Sequence, residues 1–80
     1  MELLKQLLEA FLEATQRKEK FTLEAKSDMV RLIPVDGMFT QVDILLLTRF
    51  ATENGYAYFV SVGYGDKLLR WVIYEPKVIL

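Results

Sequence analysis

The order of apolar and polar positions divides the chain into six segments. Between residues 2 and 17, Leu4, Leu7, Leu8, Phe11, Leu12 and Thr15 recur at helical spacing, while Glu2, Lys5, Gln6, Glu9, Glu13 and Gln16 hold the opposite side. That pattern predicts an amphipathic helix. Residues 20–26 alternate instead. Phe21, Leu23 and Ala25 point one way, and Lys20, Thr22, Glu24 and Lys26 the other, as in a half-buried strand. Ser27-Asp28 carries turn chemistry, and residues 29–33 can return as a second strand that Pro34 ends, because proline donates no ladder hydrogen bond. Asp36-Gly37 then marks a tight turn.

A second helix has sharp boundary signals. Thr40 can cap it, with Asp43 three residues on in the place a capping box usually gives to Glu, and Phe39 and Ile44 stand where a hydrophobic staple closes. Asn54-Gly55 supplies a left-handed stop. Between these ends Val42, Ile44, Leu45, Leu46, Leu47, Phe50 and Ala51 occupy most of the circumference. Such a helix is expected to be buried on two sides, by the sheet and by a twin subunit or a terminal strand. Residues 56–62 and 67–74 read as a hairpin across 63–66. One of its faces carries Tyr56, Tyr58, Val60, Val62, Leu69, Trp71 and Ile73. The other carries Ala57, Phe59, Ser61, Leu68, Arg70, Val72 and Tyr74. Neither face is polar, so cover is expected on both. The tail Val78, Ile79 and Leu80 is apolar enough to dock. The expected class is α+β: one domain over residues 1–80, two helices packed on a four-stranded sheet, in the order α-β-β-α-β-β.

Composition sharpens this picture. Eighty residues form a small core that usually needs reinforcement. The chain has no Cys and no His, which removes disulfides, the usual zinc sites and nucleophilic triads in their ordinary forms. Association remains, and a hydrophobic fraction of 52% points to a homodimer. An acid at position 2 argues against a signal peptide, no apolar run approaches membrane-spanning length, and the expectation is a cytoplasmic protein away from membranes. A net charge of −1 and a pI near 5.3 provide no global basic field for nucleic acid.

One local motif has chemical content. Glu24 and Lys26, two apart on a strand, project from the same face. The carboxylate suits Mg²⁺, and the ammonium can hold an attacking water or neutralise charge on a phosphate. From Phe21 to about Pro76 the chain resembles the C-terminal half of the archaeal Holliday junction resolvases, of the PD-(D/E)xK nuclease superfamily. The parallel runs through Glu24-Ala25-Lys26-Ser27, Gln41 at the opening of a helix, Gly55 at its close and the hairpin after it. The resemblance implies a truncated restriction-endonuclease-like core with strands 21–26 and 56–62 as neighbours; without that kinship the simpler expectation is two hairpins forming an antiparallel sheet. It also implies Glu24 as a Mg²⁺ ligand, Lys26 as catalytic lysine and Gln41 as a supporting polar residue. The family's first-helix glutamate has loose counterparts in Glu9 and Glu13, with Glu13 the second candidate metal ligand. The family's metal-binding Asp, on the strand before the Glu-x-Lys strand, has no counterpart, because Arg17-Lys18-Glu19-Lys20 runs straight into Phe21. Either Glu13, Asp28 or a group from a second subunit completes the site, or the chain is a non-cutting relative.

Two functions follow. The first is a small dimeric nuclease-like protein that binds or processes DNA. The second is a non-enzymatic homodimeric module that binds protein partners. Neither calls for a small-molecule cofactor. The remaining features take structural readings beside functional ones. Tyr56, Tyr58, Phe59, Tyr64, Trp71 and Tyr74, with Lys67 and Arg70, could stack single-stranded nucleic acid, but core or dimer interface is the favoured role. Asp36 and Asp43 read as turn former and helix cap. Arg17, Lys18 and Lys20 are either a solvated helix end or phosphate contacts.

Overall fold

The computed structural model describes residues 2–62, 65 and 69–76. Most of the expected turn at 63–66, residues 67 and 68, and the apolar tail at 78–80 lie outside them. The first helix, α1 (Glu2–Ala14), buries Leu4, Leu8 and Leu12 along the predicted stripe. It ends short of the expected boundary at residue 17. Gln16 turns left-handed, with φ of 59°, and the Arg17 N–H donates to the Leu12 carbonyl at 2.7 Å. This closure is normally made with glycine. A 3-10 turn (Lys18–Lys20) leads into the sheet.

Strands β1 (Phe21–Ala25) and β2 (Val30–Pro34) form an antiparallel hairpin, with Phe21 opposite Pro34 and Ala25 opposite Val30. Pro34 is the last residue of β2 rather than the stop beyond it. It is tolerated there because the ladder on the other side of β2 uses only Val30 to Leu32. Helix α2 (Gln41–Glu53) opens with the expected capping box. The Asp43 N–H donates to the Thr40 hydroxyl at 3.0 Å, and the Thr40 N–H donates to the Asp43 carboxylate at 3.1 Å. Gly55, at φ of 76°, carries the chain out of the helix. Strands β3 (Ala57–Val62) and β4 (Leu69–Tyr74) form the second hairpin.

The sheet order is β1-β2-β4-β3, and every neighbouring pair is antiparallel. The fold is therefore α+β, two helices with a four-stranded antiparallel sheet. Two hairpins are joined through β2 and β4. The neighbouring placement of β1 and β3 that the nuclease resemblance implies is not adopted, since these two strands form opposite edges. Each strand pairs first with its sequence neighbour, the shorter loop to close.

Both helices pack on one face. Their buried residues meet Phe21, Val30, Leu32, Trp71 and Ile73 in a single cluster. Cross-strand partners share a face in an antiparallel sheet, so Val30 opposite Ile73 and Leu32 opposite Trp71 form a continuous floor. β3 contributes no buried residue to this cluster. The hairpin faces divide as the alternation predicts, with Tyr58, Val60 and Val62 opposite Ile73, Trp71 and Leu69. Cover on both sides is not found: among the described residues no helix or strand lies over the second face. Val72 is nonetheless buried there, flanked by Arg31 on β2 and Phe59 on β3. Helix α2 likewise buries one side only, through Asp43, Leu47, Phe50 and Ala51, and leaves Val42 and Leu45 exposed. Among the described residues no helix is long and apolar enough to cross a membrane.

Candidate functional site

Glu24 lies on the second, helix-free face of β1, half-buried, directly opposite Arg31 of β2. Arg31 is therefore its nearest cross-strand neighbour, a cation where a metal site would want another acid. Lys26 follows the strand and is exposed, and its backbone N–H donates to the Met29 carbonyl at 2.8 Å to close the β1–β2 turn. If the alternation of β1 continued one residue further, Lys26 would share the face of Glu24.

The remaining candidates do not join them. Gln41 is exposed at the first position of α2. That end of the helix is fixed to Lys20, which precedes β1, whereas Lys26 lies past the other end of the strand, about 20 Å away for six residues at the usual rise. Glu13 belongs to the helical layer on the opposite face of the sheet and is engaged by Lys18, whose ammonium donates to it at 2.8 Å. That pairing raises Lys18 above the ordinary lysine value. Asp28 is exposed in the β1–β2 turn. Among the described residues no three acidic groups stand close enough to hold a metal ion together. A shallow cleft of about 680 Å³ opens on the second face between Ser27, Asp28 and Met29, Phe59, and the end of β4 at Tyr74, Glu75 and Pro76. Neither Glu24 nor Lys26 lines it.

The best-formed polar cluster lies elsewhere, around Asp43. Its side chain is fully buried. It accepts from Arg17 Nε at 2.9 Å, from Lys20 Nζ at 3.2 Å and from the Thr40 N–H. Burial pushes its carboxyl up. The Thr40 backbone donor, Arg17, the Thr40 side chain and Lys20 outweigh burial and hold the carboxyl below the ordinary range. Arg17 Nη1 also donates to the Thr15 carbonyl at 2.8 Å, so one guanidinium links the end of α1 to the start of α2. Asp43 is thus the helix cap that the sequence predicts. The cations around it, read from sequence as solvated or phosphate-binding, are in part engaged internally. Asp36 is the expected turn former, accepting from the Met38 N–H at 3.0 Å.

Apolar side chains remain outside the core in two places. Leu3 and Leu7 on α1 and Val42 and Leu45 on α2 are exposed on the helical layer, among charged pairs such as Lys5–Glu9 and Arg49–Glu53. Tyr58, Phe59, Val60 and Val62 are exposed on β3, a strand with no charged residue. The ring of Tyr58 stacks on the buried Trp71, with centroids 5.9 Å apart. The nuclease resemblance implied an interior place for β3 beside β1, whereas the simpler expectation of two hairpins in one antiparallel sheet is the arrangement found. The signal the sequence lacked was strand order. No family model, curated protein or solved structure matches the chain.

Proposed function

We propose that this chain works by association rather than by catalysis, as a non-enzymatic module that assembles with a second copy of itself. The observation that carries this reading is β3: a strand of six uncharged residues that adds no buried residue to the core and leaves four large apolar side chains exposed. Exposed apolar surface gathered on one element marks an association site far more often than scattered single residues do. Size-exclusion chromatography with light scattering tests it. A dimer mass at micromolar concentration is expected, and a monomer mass that persists at high concentration removes the proposal.

The nuclease reading keeps one supporting feature, Glu24 near the end of β1 with Lys26 directly after the strand. It needs further ligands from outside the described residues or from another subunit. A DNA titration at varied salt with Mg²⁺ or Mn²⁺ separates the two readings, because phosphate neutralisation leaves a salt slope. On the association reading, binding is weak and Glu24→Ala and Lys26→Ala leave it unchanged. Metal-dependent cleavage lost in both variants would establish the nuclease instead.

A further inference from the structure

We infer that β3 is the seam of the dimer, pairing edge to edge and antiparallel with β3 of the second copy to make one continuous sheet. The inference rests on the self-association proposed above and names the surface that carries it.

The two edges of the sheet differ in kind. Natural edge strands discourage pairing with charge, proline, bulges or cover. β1 follows that rule. It carries Glu24 on the strand, with Lys20 before it and Lys26 after it. β3 reads Ala57, Tyr58, Phe59, Val60, Ser61, Val62, with no charge, no proline and no glycine. Among the described residues nothing pairs with its outer edge. Its backbone donors and acceptors on that side are open to pairing, and another uncharged strand meets them without like-charge repulsion.

The exposed area suits a weak dimer. Tyr58 is 42% exposed, Phe59 43%, Val60 51% and Val62 59%. These four side chains present about 350 Å² per copy, or about 700 Å² for two, as the upper limit of what the seam can cover. With strand backbone buried in the new ladder, the contact falls below the ~1,200 Å² of standard interfaces, in the range of weak association. The exposed helical residues present comparable area, but ion pairs and single charges interrupt it.

Symmetry sets the register. A two-fold axis normal to the sheet keeps each face on its own side, so a residue can oppose only one of the same face. An axis at Val60 sets Val60 against Val60 of the partner subunit and Tyr58 against Val62 of the partner subunit, an aromatic against a β-branched side chain. An axis at Phe59 would leave Val62 unpaired. Because β1 is charged, growth stops at two copies.

The test uses the absence of cysteine from the chain. Single variants Val60→Cys, Leu3→Cys and Leu45→Cys are oxidised at dilute concentration and read on a non-reducing gel. Opposed residues at the axis fall within disulfide reach, with Cα atoms about 4.5–5.5 Å apart. The expected result is a covalent dimer for Val60→Cys alone. Val60→Lys, at a side chain half exposed in the single chain, should weaken the dimer by at least ~100-fold while leaving the far-UV circular dichroism spectrum unchanged. Cross-linking at Leu3→Cys or Leu45→Cys, with a Val60→Lys dimer as tight as the parent, overturns the seam and leaves self-association standing. A parent chain that is monomeric overturns both.

Discussion

Asp43 links three separate segments of the chain. It caps α2 through Thr40, receives Arg17 from the end of α1 and receives Lys20 from the approach to β1. Removing its charge leaves those two cations without their counter-charge. Their side chains are 24% and 40% exposed, so both can recover some hydration, and the loss falls below the ~3–5 kcal/mol of a fully buried pair. Asp43→Asn is expected to cost about 2 kcal/mol near pH 7. The pH dependence has a definite sign. The folded-state carboxyl titrates below its unfolded value, so the unfolded chain takes up the proton first as acid is added. The contribution of Asp43 is complete above about pH 4 and is lost as pH falls through the lower, folded-state value. Thermal melts of the parent and Asp43→Asn should therefore converge in acid. A gap that stays constant from pH 7 down to pH 2 would mean that charge is not what Asp43 provides.

At the scale of elements, local signals were legible and distant ones were not. The capping box needs only Thr40 and Asp43 within one turn, and the alternation of residues 20–26 needs only neighbours, so both could be read directly. The end of α1 could not. Its left-handed residue is Gln16, where glycine would have marked the stop, and without that signal the periodicity ran on to 17. The same fact supplies a prediction. A side chain held left-handed costs about 1 kcal/mol that glycine avoids. Gln16→Gly should thus stabilise the domain by about that amount and raise the melting temperature by about 4–8 °C, as calorimetry would show. A lowered melting temperature would mean that the Gln16 side chain makes compensating contacts. The partners of Asp43 were illegible for another reason: Arg17 and Lys20 lie 26 and 23 positions away, and no periodicity connects them.

For the whole molecule, the class of fold and both hairpins were readable, because hydrophobic alternation and turn residues determine them. Strand order was not, since the β2–β4 ladder depends on which apolar strands meet after α2 has packed. That one unknown decided the candidate site. With β1 and β3 at opposite edges, Glu24 faces Arg31 alone across the hairpin, while Gln41 and Glu13 lie at another end and on another face. It also left β3 outside the core.

The join between the hairpins has a kinetic side. Only three register pairs, Val30 with Ile73, Arg31 with Val72 and Leu32 with Trp71, tie the first half of the sheet to the second, and they close the longest of the connections between paired strands. Each hairpin can form early from residues near in sequence, whereas this central ladder must wait for a long-range encounter. Folding speed should therefore be set in the middle of the sheet. In stopped-flow denaturant jumps, Leu32→Ala is expected to slow refolding several-fold, while Leu23→Ala on the edge strand chiefly hastens unfolding. The reverse pattern would put the rate-limiting step in the first hairpin.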